Sequence, residues 1–144
     1  MIKSLFALSA IAFCSLASAQ MSPVGRWNTV DDKTGEIKSE VRIVDNAGVL
    51  TGSITKFLKK DSKPDAVCDL CADDRKDKLI LGMQIIRGAK KSDGKEVWEG
   101  GKVLDPENGK TYTLKLTPLE DGKKLEVRGY IGPFSRPQTW LRVE

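Results

Sequence analysis

Residues 111–131 read TYTLKLTPLEDGKKLEVRGYI, and their periodicity decides the fold class. Tyr112, Leu114 and Leu116 fall on one side of an extended chain, opposed by Thr111, Thr113, Lys115 and Thr117. After Glu120-Asp121-Gly122, Leu125, Val127 and Ile131 oppose Lys124, Glu126 and Arg128. Side chains alternate between the two faces of a strand, so this pattern predicts two strands, each with one buried face. The residues between them tolerate positive φ and suit a tight turn. Glu36–Val44 repeats the pattern, with Ile37, Val41 and Ile43 set against Glu36, Lys38, Glu40 and Arg42.

Working outward, turn residues recur at short intervals: 31–35, 45–48, 92–94, 105–109 and 120–122. They divide the chain into eight predicted strands at about 25–30, 36–44, 49–57, 78–87, 96–104, 111–117, 124–131 and 137–143. No segment carries a helical period over ten residues. The expected fold class is all-β, an eight-stranded antiparallel up-and-down barrel, because closure removes exposed strand edges. A two-sheet sandwich satisfies the same periodicity. One connection breaks the rhythm: Leu58 to Asp77 is long and polar, and a loop of that length in a compact domain usually has a function or its own tether.

The chain opens MIKSLFALSAIAFCSLASAQ. Lys3 supplies a positive start, Leu5–Leu16 is nearly all apolar, and Ala17-Ser18-Ala19 offers small residues to a signal peptidase. This reads as a cleaved secretory leader, residues 1–19, too short to span a bilayer. Cys14 belongs to the leader, since Phe13 stands where lipid attachment needs a small residue. A single domain, 20–144, is expected to reach the periplasm or the cell exterior, with no transmembrane segment in the mature chain. The full sequence has 24 cations against 20 anions, a net +4. Loss of Lys3 leaves +3, interspersed along the chain, and no basic block points to nucleic acid.

There is no histidine, so Ser-His and Cys-His nucleophiles and His-based zinc sites are excluded. No phosphate loop, nucleophile elbow or dinucleotide fingerprint occurs, and no cofactor or metal is expected. Glu99, between Trp98 and Gly100-Gly101, is the one carboxylate that a barrel interior would turn into an acid, but on a strand it most simply faces solvent.

Cys68 and Cys71, in AVCDLCADD, are the cysteines left after the leader. A redox C-x-x-C needs a stabilised thiolate, whereas Asp65, Asp69, Asp73 and Asp74 would raise the thiol pKa. Two thiolates without histidine make an unusual zinc site. An oxidising destination and an even count favour a structural disulfide over a redox centre or a metal site. So small a ring contributes at most about 2 kcal/mol, and its effect is to shape the long loop.

Gly25-Arg26-Trp27 resembles the G-x-W opening of lipocalin-like barrels, in which a basic residue near the last strand covers the tryptophan. Arg142, in Trp140-Leu141-Arg142-Val143, matches that role. Physically, a guanidinium on an indole is worth about 1 kcal/mol. The chain is also similar, over essentially the whole domain, to a bacterial secreted family known as domain of unknown function 2147. The similarity runs through GRWNTVDDKTGEIKS, VLTGSITK, CDLC, ILGMQIIRG, VWEGGKVLDPENGKTYT and LEVRGYIGPFSRPQTW in order. It implies a lipocalin-like (calycin-type) barrel and supplies no activity.

Two functions compete. The first is a non-enzymatic binding protein for a small apolar or amphiphilic ligand, held inside the barrel. Leu50, Ile54, Trp98, Tyr112, Leu114 and Val127 would line the cavity, and Arg128 or Lys102 would meet an anionic head if a glycine bulge turned it inward. The loop with Cys68–Cys71 would then cover the mouth. Gly52, Ser53, Gly100, Gly101 and Gly129 would either leave room or mark bulges. The second is an envelope interaction module with a protein partner, presenting the CDLC loop and Gly132–Pro137 with Phe134 at its centre. A redox or other enzymatic role ranks below both.

Overall fold

A computed structural model describes residues 21–144. The predicted leader lies outside the described residues. Eight strands form in chain order: β1 Gly25–Val30, β2 Ile37–Asn46, β3 Val49–Phe57, β4 Gln84–Lys91, β5 Trp98–Asp105, β6 Lys110–Leu119, β7 Lys124–Ile131 and β8 Phe134–Arg142. Each pairs antiparallel with the next, and β1 closes on β8 through Trp27–Arg142 and Asn28–Leu141. That closing pair makes a barrel and excludes the sandwich. Among the described residues no helix is long and apolar enough to cross a membrane.

Alternation sets the faces of the strand centres as expected, but Ile37 and Ile131, at strand ends, are exposed, and Glu40, expected on the wet face of β2, is buried. On β6, Leu114, Leu116 and Pro118 are buried, and on β7 Leu125 and Val127 are. Two strand boundaries differ materially from expectation. The fourth strand begins at Gln84, not near 78, and the eighth begins at Phe134, three residues before 137. The apolar run Leu79-Ile80-Leu81 reads as strand, yet Gly82 takes φ +87° and breaks it. Leu79 instead bridges to Val67. The long connection therefore runs from 58 to 83.

In an up-and-down barrel successive turns alternate between the two ends. The β2–β3, β4–β5 and β6–β7 turns share one end with both termini. The β1–β2 turn, the 58–83 loop and the β5–β6 and β7–β8 turns share the other. The first end is closed. Trp27 is fully buried and its indole donates to the Pro23 carbonyl at 2.7 Å. The Arg142 guanidinium stacks 4.2 Å from the centre of that ring. Its nitrogens donate to three backbone carbonyls: Gly122 at 2.5 Å, Val24 at 3.0 Å and Ser22 at 2.7 Å. One side chain thus ties the N-terminal segment to the β6–β7 turn over the indole. Burial lowers the pKa of Arg142, and the three carbonyls supply the hydrogen bonds that water would otherwise provide. Gly25 is required here on two counts. Its φ is +135°, and a Cβ would stand 2.5 Å from an Arg142 nitrogen.

Replacing Arg142 with alanine removes a cation–π contact and three charged hydrogen bonds, at a cost of about 2–3 kcal/mol. Urea unfolding of R142A is expected to show that loss as a lower midpoint with an unchanged slope. A loss below about 0.5 kcal/mol, the level of an ordinary surface change, would remove Arg142 from its place as the closure.

Candidate functional site

Below the sealed end the barrel is filled. Val41, Ile43, Leu50, Leu116 and Leu125 interlock around Trp27 with almost no exposure. Towards the other end side chains no longer meet, and a cavity of about 360 Å³ opens. Its apolar wall includes Ile54, Phe57, Ile85, Val103, Leu104 and Val127. Trp140, two residues before Arg142, meets the cavity from the closed side and donates its indole N–H to Gln138 Oε1 at 3.1 Å. Tyr112 packs directly across Gly129, where a Cβ would approach the tyrosine Cβ to 3.1 Å.

The mouth is polar and largely self-paired. Lys38 on β2 reaches Glu107 in the β5–β6 turn at 2.8 Å, an ion pair between elements that are not neighbours in the sheet. Arg136 and Gln138 on β8 both meet Asp32 in the β1–β2 turn, at 2.9 and 3.2 Å. Thr29 and Ser39 share a hydrogen bond of 2.7 Å, and Asn108 donates to the Tyr112 hydroxyl at 3.0 Å.

The 58–83 loop supplies the rest of the mouth through Lys59, Ser62, Lys63, Ala66 and Ile80. It is built rather than slack. Residues 66–68 pair with 78–80 through Cys68 N–H to Lys78 O, 2.9 Å, and Ile80 N–H to Ala66 O, 2.9 Å. Cys68 and Cys71 are joined in a disulfide whose sulfur-bearing residues are buried. The Cys68 sulfur lies 3.7 Å from the Pro106 carbonyl, a packing contact because a bridged sulfur has no proton to donate. Gly109 has φ +70°, and a Cβ there would overlap the Leu70 backbone. The disulfide turn is therefore seated directly on the β5–β6 turn.

Two arginine–aspartate pairs hold the other side. Buried Arg75 grips Asp73 and donates to the Gln84 carbonyl at 2.8 Å. Arg87 on β4 meets both oxygens of Asp74, at 2.8 and 2.9 Å. The acidic field expected to act on the cysteines is thus partly neutralised: Asp73 and Asp74 answer arginines. The Arg75 hydrogen bonds lower the Asp73 pKa to about 2, and those from Arg87 lower that of Asp74.

The sequence profile of a family described as an uncharacterized protein conserved in bacteria, domain of unknown function 2147, matches residues 25–142. The chain belongs to that family. No curated protein matches it in sequence. In three dimensions this member of family 2147 is similar to HP1028 of Helicobacter pylori, described as belonging to the lipocalin family. The TM-score is 0.71 at 20% identity, over 84% of this chain and 82% of that one. At that identity the likeness is one of fold.

Within this family 2147 barrel, Ile54, Tyr112 and Val127 line the cavity. Leu50, Trp98 and Leu114 do not. Leu50 and Leu114 are interior but lie in the filled part, and Trp98 starts β5 at the closed end beneath Lys91, whose ammonium is 5.6 Å from its ring centre. Arg128 also stands outside. The register of β7 runs unbroken against both neighbours, so Arg128 stays on the outer face and binds Glu126 and Ser135. Register shifts beside glycines fall instead on β3, on either side of Gly52, and on β5, between Glu99 and Gly101. Lys102 remains outside, donating to Thr113. Gly101 abuts β4 backbone, and the space at Gly52 is taken by Ile86 and Ile43. Glu99 is exposed and accepts a hydrogen bond from Ser92 at 2.7 Å. Phe134, at the β7–β8 tip, is 77% exposed. Phe57, Ile85, Trp140 and the loop lysines are cavity residues that alternation did not single out.

The Arg75–Asp73 clasp makes stability depend on pH at the acid end. A depressed folded pKa contributes stability above the ordinary value of 3.8 that is lost as pH falls towards about 2. An NMR titration is expected to show the Asp73 carboxyl and the Arg75 amide, 2.9 Å from it, moving together with a midpoint near 2. A midpoint at the ordinary carboxylate value would mean that the Arg75–Asp73 clasp is not formed.

Proposed function

We propose that this protein is a non-enzymatic carrier of a small apolar or amphiphilic molecule, bound in the open half of the barrel after export to the periplasm or beyond. The observation that supports it is the cavity itself. A space of about 360 Å³ lies within the range of small-molecule sites, and its apolar walls with a polar rim have the usual composition of one. Close packing is the rule in protein interiors, so an unfilled half in an otherwise interlocked barrel needs a reason. A ligand of matching shape is the simplest. Among the described residues no hydroxyl on its wall is hydrogen-bonded to a lysine or a carboxylate, and its carboxylates, Asp105 at the end of β5 and Glu107 in the turn after it, sit at the rim. Binding without chemistry accounts for what the walls present.

The neutral apolar dye N-phenyl-1-naphthylamine tests this reading. The wild-type protein is expected to bind it with enhanced fluorescence at one site. Val127→Phe, which adds a ring to the cavity wall, is expected to weaken binding at least roughly tenfold, as filling a shaped pocket does, while circular dichroism stays that of the barrel. Equal dye binding by the folded V127F variant, or none by the wild type, would contradict a ligand site in this cavity.

A further inference from the structure

The rim of the cavity carries four cationic side chains, Lys38, Lys59, Lys63 and Arg136, and two carboxylates, Asp105 and Glu107. Most of its polar groups are already engaged. Lys38 is paired with Glu107, and Arg136 with Asp32. Asp105 accepts the Glu107 N–H at 2.9 Å. Thr29, Ser39, Asn108, Tyr112 and Gln138 all have side-chain partners. Lys59, Ser62 and Lys63 stand apart: among the described residues none of their side chains has a hydrogen-bonding or ion-pair partner.

These three residues are also gathered by the backbone. Ser62 N–H returns to the Lys59 carbonyl at 3.3 Å, closing a turn, with Asp61 at φ +74° inside it. The turn sets Lys59 at one side of the cavity rim and Ser62-Lys63 beside it. Asp61 and Asp65, the acids on the same segment, do not line the cavity. Two ammonium groups and a hydroxyl without partners, at the edge of an apolar space, are complementary to an anion on the end of an apolar chain.

We infer that the ligand is a single-chain anionic amphiphile, whose carboxylate or phosphate head is held by Lys59 and Lys63, with Ser62 donating a hydrogen bond. The apolar chain then runs inward past Ile54 and Ile85 towards Trp140. This rests on the carrier reading above and adds the chemistry of the head group. Both lysines are exposed, so their attraction is screened by salt. Each is worth about threefold in affinity, and the two together about tenfold.

The test is displacement of N-phenyl-1-naphthylamine by dodecanol, dodecanoate and dodecyl phosphate, in wild type and in Lys59→Gln/Lys63→Gln. Exposed lysines can be replaced without disturbing the barrel, and circular dichroism checks this. The wild type is expected to prefer one or both anions to the alcohol by roughly tenfold at low salt. The double variant is expected to lose that preference while binding dodecanol unchanged. Which anion is preferred distinguishes a carboxylate from a phosphate head. If dye and dodecanol bind but the anions gain nothing, or the preference survives in the double variant, the head-group assignment is overturned and the carrier reading stands. If neither dye nor dodecanol binds, both fail together.

Discussion

The stack of Arg142 on Trp27 is the constraint on which the rest of the barrel depends. β1 and β8 come from opposite ends of the chain and share a short ladder, of which Trp27–Arg142 is one rung. The guanidinium converts that rung into a seal by holding Ser22, Val24 and Gly122 over the indole. An arginine can do this where a lysine cannot, because its planar fork stacks and donates in several directions at once. With one end sealed, the side chains around Trp27 interlock, and the space that remains is confined to the far half.

That asymmetry gives the two ends different work. The sealed end is tight turns and packed apolar residues. The open end carries the 58–83 loop, and every feature of that loop holds its position: the disulfide seated on the β5–β6 turn, the pairing of 66–68 with 78–80, and two arginine–aspartate clasps to β4. The C-x-x-C that invites a redox reading is better understood through its neighbours. Both cysteines are buried, the Cys68 sulfur lies against the Pro106 carbonyl, and two of the nearby acids, Asp73 and Asp74, are turned to arginines. A fixed loop over an apolar space places Lys59 and Lys63 at the rim in a definite arrangement, where a slack loop would spread them over many.

The fold was legible wherever one face was buried and the other wet, as in β6 and the centres of β2 and β7, because alternation follows directly from burial; it misplaced Ile37 and Ile131, exposed at strand ends, and Glu40, buried on the outer face of β2. It failed at 78–83, where Leu79-Ile80-Leu81 has strand composition but only Ile80 faces the cavity, and Gly82 takes a conformation no regular strand allows. The site was half legible. Period two says which side chains point inward, and Ile54, Tyr112, Val127, Leu50 and Leu114 all do. It says nothing about depth along the barrel axis, which depends on register and bulges, so Leu50, Leu114 and Trp98 could not be told from cavity residues. Arg128 would face inward only if a bulge turned β7, and β7 has none. Lys59 and Lys63 carried no periodic signal, since their position is set by a loop fold that depends on long-range contacts such as Lys59 N–H to the Lys38 carbonyl and the seating of Leu70 on Gly109.

The most direct measurement is native mass spectrometry of the folded protein isolated, without added detergent, from the cells that make it. A barrel with one sealed end and a ligand-filled open half is expected to carry a discrete added mass, released on collisional activation as an anionic single-chain species. The bare polypeptide mass alone, from protein that also fails to take up an apolar molecule afterwards, would contradict the account.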